Sequence, residues 1–236
     1  MNDTLMVGRR GRALLAALLA GSAIAVGLLL FRRFYWGDVR LGFLPKNLFL
    51  AWIPLLFACA AQAQLARPTR RHWLLASCAV GWFFFWPNAA YIVTDMLHLK
   101  DREPVPRLFD VILLTLFAWI GLFLSYLSLF LLHSRVRGRL GATAGWLFVV
   151  TMLAAGSFGI YLGRFLRTNS WHVVTHPLRV IDDVLRATEA GERQGMAAFS
   201  LTFFVFSTAV YLMLHALANL HAPDAPVTPA TEKPLS

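Results

Sequence analysis

The sequence has few charged residues and almost no cysteine. Only 14% of its 236 residues are Asp, Glu, Lys or Arg, whereas 58% are hydrophobic. A soluble domain carries about 25% charged residues, so this composition excludes an ordinary soluble domain and indicates a membrane protein. The two cysteines, Cys59 and Cys78, both lie in apolar stretches, which excludes a disulfide framework.

Acidic residues are also scarce, with 12 Asp and Glu against 22 Lys and Arg. The basic residues are spread over short connections instead of being massed on one folded surface, so we do not expect a nucleic-acid-binding protein. Neither an HExxH nor a CxxC spacing is present. The sequence therefore has no metal-binding motif and we assign no metal ligand from spacing, while any bound metal, cofactor, catalytic residue and oligomeric state stay unassigned.

Long runs without charge are what the sequence has in abundance. A helix needs about 20 mostly apolar residues to cross a bilayer. Six runs approach or exceed that length, and they predict an all-α membrane protein with about six transmembrane helices in a single domain over residues 1–221. The runs are Ala13–Phe31, Asn47–Ala66, His72–Thr94, Val111–Ser134, Leu140–Gly163 and Gly195–Asn219.

The two ends of the sequence have distinct compositions. Arginines precede the first run, as in a secretory signal, but the apolar stretch continues to Phe31 and ends at Arg32. This pattern favours a retained helix over a cleaved signal. Residues 222–236 hold four prolines among small and polar residues, which predicts a disordered tail.

The connections between the runs predict the orientation. Arg67–His72 and Ser134–Arg139, on the side of the termini, are short and purely basic, and such loops stay cytoplasmic. We therefore expect a multi-pass protein of the bacterial cytoplasmic (inner) membrane, surrounded by lipids, with cytoplasmic termini. The outer connections hold most of the acids, and the longest, Arg164–Gln194, has the pattern of a short interfacial helix between the fifth and sixth spans.

A polar stripe follows Pro87 at the outer end of the third span. On an α-helix five polar side chains fall in one arc, which must face protein or a water-filled cavity because lipid would leave them unsatisfied. Pro87 supports an inward-facing stripe, since it should kink the helix or make it restart there, with Asn88 as a cap. In one interpretation, Asp95 and His98 bind a metal or another cation, or relay a proton. Alternatively, Asn88 satisfies freed carbonyls and Asp95 pairs with an arginine. The stripe comprises Asn88, Tyr91, Thr94, Asp95 and His98.

A second segment lies at the outer end of the fifth span. Gly156, Gly159 and Gly163 share a face and predict close helix packing. Arg164 and Arg167 follow at the depth expected for Asp95, and each arginine can form a fork with a carboxylate of the protein, a lipid headgroup or an anionic substrate. The isolated histidines His133 and His215 are instead predicted to be hydrogen-bonded packing residues.

Three stretches, NLFLAWIPLL, WPNAAYIVTDMLHL and SFGIYLGRFLRTNSW, resemble a bacterial membrane-protein family named domain of unknown function 1361. The resemblance covers Asn47 to about Phe206. It implies a multispanning membrane protein and no particular reaction. It directs attention to nine positions, most of which the patterns above also select: Asn47, Asn88, Tyr91, Asp95, His98, Arg164, Arg167, Asn169 and Trp171. The chain departs from the family pattern at Ala90, where a proline is usual, and at His172, where an acid is usual.

Three functions fit these patterns. The first is a small-solute or ion permease, or a permease component, with the outer polar cluster as its binding site. The second is a membrane enzyme acting on a lipid-linked or anionic substrate, with Asp95 or His98 as the acid or base. The third is a non-catalytic scaffold in which the cluster holds helices together. The candidate binding residues are Asn88, Tyr91, Asp95, His98, Arg164, Arg167 and Asn169.

Overall fold

The computed structural model describes residues 8–69, 71–98, 105–165, 178, 182 and 193–219. Its long described ranges contain six α-helices and a 3-10 helix but no strand. Each α-helix is long and apolar enough to cross a membrane, which confirms the all-α fold with six spans. The helices are α1 (Arg9–Trp36), α2 (Leu44–Leu65), α3 (His72–Tyr91), the 3-10 helix (Ile92–His98), α4 (Arg107–Leu140), α5 (Ala142–Phe165) and α6 (Arg193–Asn219).

Local sequence signals account for several helix ends. Gly37 ends α1 in a left-handed conformation, with a φ of 66°, which glycine adopts without a steric penalty. Pro45 lies in the first turn of α2, where its missing N–H has no helical acceptor to lose. Asp110 in the first turn of α4 and Arg137 in its last turn have the signs that the helix dipole favours.

The prediction that Ser134–Arg139 is a connection is wrong. These residues form the last turns of α4, and Gly141 alone, with a φ of 92°, separates α4 from α5. The error arose because arginine ended the charge-free run, although arginine is a good helix former. At 1.5 Å per residue α4 is about 51 Å long, so it extends well beyond a hydrocarbon core of about 30 Å.

Of the kink or restart expected at Pro87, the restart with Asn88 as a cap is wrong. Both residues lie inside α3, which continues to Tyr91. The change in backbone comes at Ile92, where the tighter 3-10 helix begins. This tighter winding turns about 120° per residue instead of 100°, so the predicted stripe does not continue unchanged beyond Tyr91.

Helix α4 lies at the centre of the bundle and packs against α1, α2, α3, α5 and α6. Half of its most apolar stretch is buried, against 17% for α1 and α6. Gly121 allows α3 and α4 to approach closely, since a Cβ there would lie 2.6 Å from the carbonyl oxygen of Ala89 in α3. Two tryptophans of α3 bond to α4, from Trp82 Nε1 to Ser128 Oγ and from Trp86 Nε1 to the Ser125 carbonyl, both at 3.1 Å.

Successive helices alternate in direction, so the bundle has two ends. We call proximal the end where α1 begins and α2, α4 and α6 finish, and distal the opposite end. Most of the predicted interfacial helix, and the whole of the tail 222–236, lie outside the described residues; of the former, Leu178 and Asp182 are described and both are exposed. The single-domain boundary at residue 221 stays a prediction.

Candidate functional site

Among the carboxylates that the structure describes at the distal end, Asp95 is the most deeply buried. It lies in the 3-10 helix, and only 1% of its surface is exposed. The amide Nδ2 of Asn47 donates a hydrogen bond of 2.9 Å to its Oδ2. Because Asn47 belongs to the first turn of α2, this bond joins the start of the second span to the end of the third.

The backbone next to Asp95 is held by a short local bond. Thr94 is buried, and its Oγ1 donates to the carbonyl oxygen of Tyr91 at 2.7 Å. A hydroxyl that bonds three residues back satisfies itself locally and supports the tight turn. The turn thereby holds the Asp95 side chain in the interior.

The other predicted site residues are only partly described. Asn88 and Tyr91 are half-buried in the last turn of α3, on the helix that leads to Asp95. His98 ends the 3-10 helix and Arg164 lies in α5, but the side chains of both are outside the described part of the chain. Arg167 and Asn169 are outside it altogether. The joining of Asp95 to these arginines therefore stays a prediction.

Sequence patterns alone did not predict the contact between Asn47 and Asp95. The two residues are 48 positions apart, so no helical periodicity relates them. The charge-free run placed Asn47 at the start of the second span, and the family resemblance also directed attention to it, but neither indicated its partner. The available signal was a polar side chain within the first turn of an apolar span, which needs a partner in a membrane.

Sequence reasoning also missed an ion-pair cluster at the distal end. Arg32 ended the first charge-free run and was read as a flanking charge, yet only 1% of it is exposed. Its Nε and Nη2 donate to the two carboxylate oxygens of Asp110, at 2.6 and 2.9 Å. Its Nη1 donates to the backbone oxygen of Asp38 at 3.2 Å. The guanidinium thus joins α1, its following turn and α4.

Asp38 is shared between two arginines. Hydrogen bonds from Arg40, through its backbone N–H and its guanidinium, and a weaker one from Arg32 hold the pKa of Asp38 well below its usual range. The same carboxylate raises the pKa of Arg40. With Asp110, the cluster contains two arginines and two aspartates, so its formal charge is balanced.

Aromatic side chains flank this ion-pair cluster. The rings of Trp36 and Phe109 lie 5.0 Å apart between their centroids, and Phe31 is 6.2 Å from Phe109. These residues belong to α1 and α4, the helices that Arg32 and Asp110 connect. Aromatic residues concentrate at membrane interfaces, which fits the place of this cluster at a helix end.

The predicted glycine seam is confirmed where it is described. A Cβ on Gly156 would lie 2.2 Å from the Trp86 ring, and one on Gly159 would lie 3.6 Å from the Pro87 ring. The seam therefore packs α5 directly against α3, just before Asp95. Small residues of this kind let two helices approach closely.

A second polar cluster lies at the proximal end. His133 is buried, and its Nδ1 forms a 2.8 Å hydrogen bond with the hydroxyl of Tyr211 in α6. The ring of His215 lies 5.3 Å from that of His133, and Trp146 of α5 packs against both. His133 is therefore a hydrogen-bonded packing residue, as predicted, and the cluster ties α4, α5 and α6 together.

The helices and their buried polar contacts define a multi-pass helical membrane protein. The family described as protein of unknown function (DUF1361) matches residues 46–213, and the chain belongs to this family. No curated protein and no solved structure matches the chain. The match begins just before Asn47 and includes Asp95, Asp110, His133 and Tyr211, while Arg32 and Asp38 precede it and His215 follows it.

Proposed function

We propose that the protein is a small-solute or ion permease, or a permease component, with Asp95 as its binding carboxylate. The observation that carries the proposal is the burial of Asp95 in a 3-10 segment at the end of the third span. Transporters place binding groups where a spanning helix departs from α-helical geometry. A buried carboxylate near a membrane boundary is costly and points to function.

The surrounding groups support a site for a cation, a proton or a polar solute. Asn47 donates a hydrogen bond to Asp95, and an ionised carboxylate accepts such bonds and attracts cations. In this proposal Asn88, Tyr91 and His98 extend the site along the same segment. Arg164 at the end of the fifth span, with Arg167 and Asn169 after it in the sequence, would add anion-binding groups. The arginines would suit a solute that carries a carboxylate or phosphate.

We further propose a bacterial inner membrane location with both termini in the cytoplasm. The described carboxylates Asp38, Asp95 and Asp110 belong to the distal end, whereas the described part of the proximal end has arginines and no acid. An excess of arginine in short connections favours the cytoplasmic side. A cysteine-accessibility experiment with Arg67→Cys and Val39→Cys, on a background without Cys59 and Cys78, tests the orientation.

The permease proposal is tested with proteoliposomes. We would measure proton, Na⁺ and K⁺ flux, and uptake of a panel of labelled amino acids and sugars, for the wild type and Asp95→Asn. We expect one of these fluxes in the wild type and a loss of at least about tenfold in the variant, equivalent to about 1.4 kcal/mol. Asp182→Asn, at an exposed acid, is the matched control. Unchanged flux in folded Asp95→Asn would contradict the proposal.

A scaffold is the second candidate, and the bond between Asn47 and Asp95 is the observation that favours it. If the cluster only holds helices together, Asp95→Asn lowers the folded yield and no flux depends on it. Monodispersity in detergent, measured on the same samples, separates the two functions. A folded Asp95→Asn variant that loses flux supports the permease. A misfolded Asp95→Asn variant, together with a wild type that shows no flux, supports the scaffold.

A further inference from the structure

We propose that a cleft at the proximal end binds one anionic phospholipid, with an acyl chain against its apolar walls and the phosphate at Arg135 and Arg139. The cleft has a volume of about 550 Å³ and is formed by α2, α3, α4 and α5. It is separate from Asp95 and does not depend on the permease proposal. Its apolar walls include Leu65, Ala79, Trp82, Leu132, Phe148 and Met152.

The walls match an acyl chain because the cleft lies within the membrane-spanning stretches. Leu65 and Ala79 belong to the second and third spans and Met152 to the fifth. Hydrocarbon is therefore the medium that surrounds this surface, and an acyl chain is the occupant that the membrane supplies. Trp82 forms an inner wall, since it is buried and its indole N–H already bonds to Ser128.

Two hydrogen bonds through Gln62 position Arg135 at the cleft. Gln62 of α2 donates from Nε2 to the Leu131 carbonyl and accepts from Arg135 Nε, both at 2.9 Å. These bonds hold the Arg135 side chain between α2 and α4. Arg139 lies one helical turn further along α4, also lines the cleft, and is exposed. Two guanidinium groups one turn apart can grip a phosphate from two sides.

Charge complementarity identifies the headgroup. The segments that form the described proximal end, residues 8–15, 62–76, 130–146 and 212–219, contain no aspartate or glutamate. Their arginines therefore create a positive potential that an anionic lipid neutralises, whereas a zwitterionic lipid brings its own cation. The exposed arginines at this end include Arg67, Arg71, Arg137 and Arg139.

The test uses the full-length protein in detergent and native mass spectrometry with two lipids. Palmitoyl-oleoyl phosphatidylglycerol is the anionic probe, and palmitoyl-oleoyl phosphatidylcholine is the zwitterionic one. We expect one phosphatidylglycerol to bind at concentrations where phosphatidylcholine does not. Arg135→Gln with Arg139→Gln should weaken that binding about 25-fold, since each arginine contributes about fivefold. The matched control is Arg67→Gln with Arg71→Gln, two exposed arginines outside the cleft walls.

A second pair of variants tests whether an acyl chain occupies the cleft, and neither variant removes a charge. Ala79→Phe fills the cleft at an exposed position, and Ala76→Phe adds the same bulk to the same helix outside it. We expect only Ala79→Phe to reduce phosphatidylglycerol binding, and this pair decides the matter if the arginine variant fails to fold. Equal binding of the two lipids would overturn the proposal. So would an equal loss of phosphatidylglycerol binding in the arginine variant and its control, or in Ala79→Phe and Ala76→Phe. A second copy of the chain filling the cleft would also overturn it.

Discussion

Arg32 donates two hydrogen bonds to the carboxylate of Asp110, 78 positions further along the chain, and so fastens the end of α1 to the start of α4. The guanidinium is almost completely buried, and the carboxylate is 16% exposed. A buried charge pair is strongly destabilised when one partner is removed, because the other charge is left without compensation.

Arg32→Gln should therefore lower the free energy of unfolding by about 3 kcal/mol, since Asp110 and Asp38 would lose a charged donor. The measurement is unfolding in mixed micelles, followed by tryptophan fluorescence. Arg33→Gln is the control, because the neighbouring Arg33 is exposed and should change the stability by less than about 0.5 kcal/mol. Equal effects of the two substitutions would show that the two hydrogen bonds from Arg32 to Asp110 do not stabilise the bundle.

The stabilisation from Asp38 should disappear in acid. Its pKa is lower in the folded state than in the unfolded chain, because Arg40 and Arg32 bond to its ionised form. The contribution is therefore complete above the unfolded pKa of about 3.9 and is lost as the pH falls below that value towards the folded pKa. We expect Asp38→Asn to be less stable than the wild type at pH 7 and the difference to shrink below about pH 4. A difference that stays constant down to pH 3 would contradict this assignment.

The sequence predicted the spans well because bilayer thickness is a strict constraint. Each charge-free run coincides with one helix to within a few residues at most ends, since a shorter apolar stretch would not cross the hydrocarbon. Helix ends were less predictable. Arg32 and Arg135 ended two runs but lie inside helices, because a charged side chain can extend or pair without ending the backbone pattern.

The contacts of the site were harder to predict than its location. The composition around Asp95 identified the distal end of the third span as polar, but Asn47 and Arg32 find their partners across the bundle. Such pairs depend on how the helices pack, and packing depends on close approaches such as Gly121 against Ala89. Helical periodicity describes one helix at a time and carries no information about its neighbours.

Gly121→Ala should destabilise the bundle by about 1 to 3 kcal/mol through overpacking. The added Cβ would lie 2.6 Å from a backbone oxygen and 2.9 Å from Ile92 Cδ1, so α3 and α4 must separate. Gly138→Ala is the control within the same helix, since nothing lies within 4 Å of a Cβ there. It should stabilise α4 by about 0.5 to 1 kcal/mol. Unfolding in mixed micelles measures both changes, and a neutral Gly121→Ala would contradict the close approach.

Tyr211→Phe should lower the free energy of unfolding by about 1 to 2 kcal/mol. The substitution keeps the ring but removes the hydroxyl that bonds to His133 Nδ1 at 2.8 Å in a buried position. Tyr35→Phe is the matched control because Tyr35 is 70% exposed. If both tyrosine variants unfold at the same detergent ratio as the wild type, the proximal hydrogen bond contributes nothing measurable.

The hydrogen bond between Asn47 and Asp95 should stabilise the distal end of the bundle. Asn47→Ala removes a donor to a buried carboxylate, and a hydrogen bond to a charged group contributes about 1.5 to 3 kcal/mol. Asn47→Asp should be worse at pH 7, because it sets a second carboxylate at the 2.9 Å distance of the lost bond. Lys46→Ala, at the exposed neighbour, serves as the control, and thermal unfolding in detergent at pH 7 measures all three. If Asn47→Asp is as stable as Asn47→Ala at pH 7, the two side chains are not in direct contact, and the buried carboxylate must be stabilised by other groups.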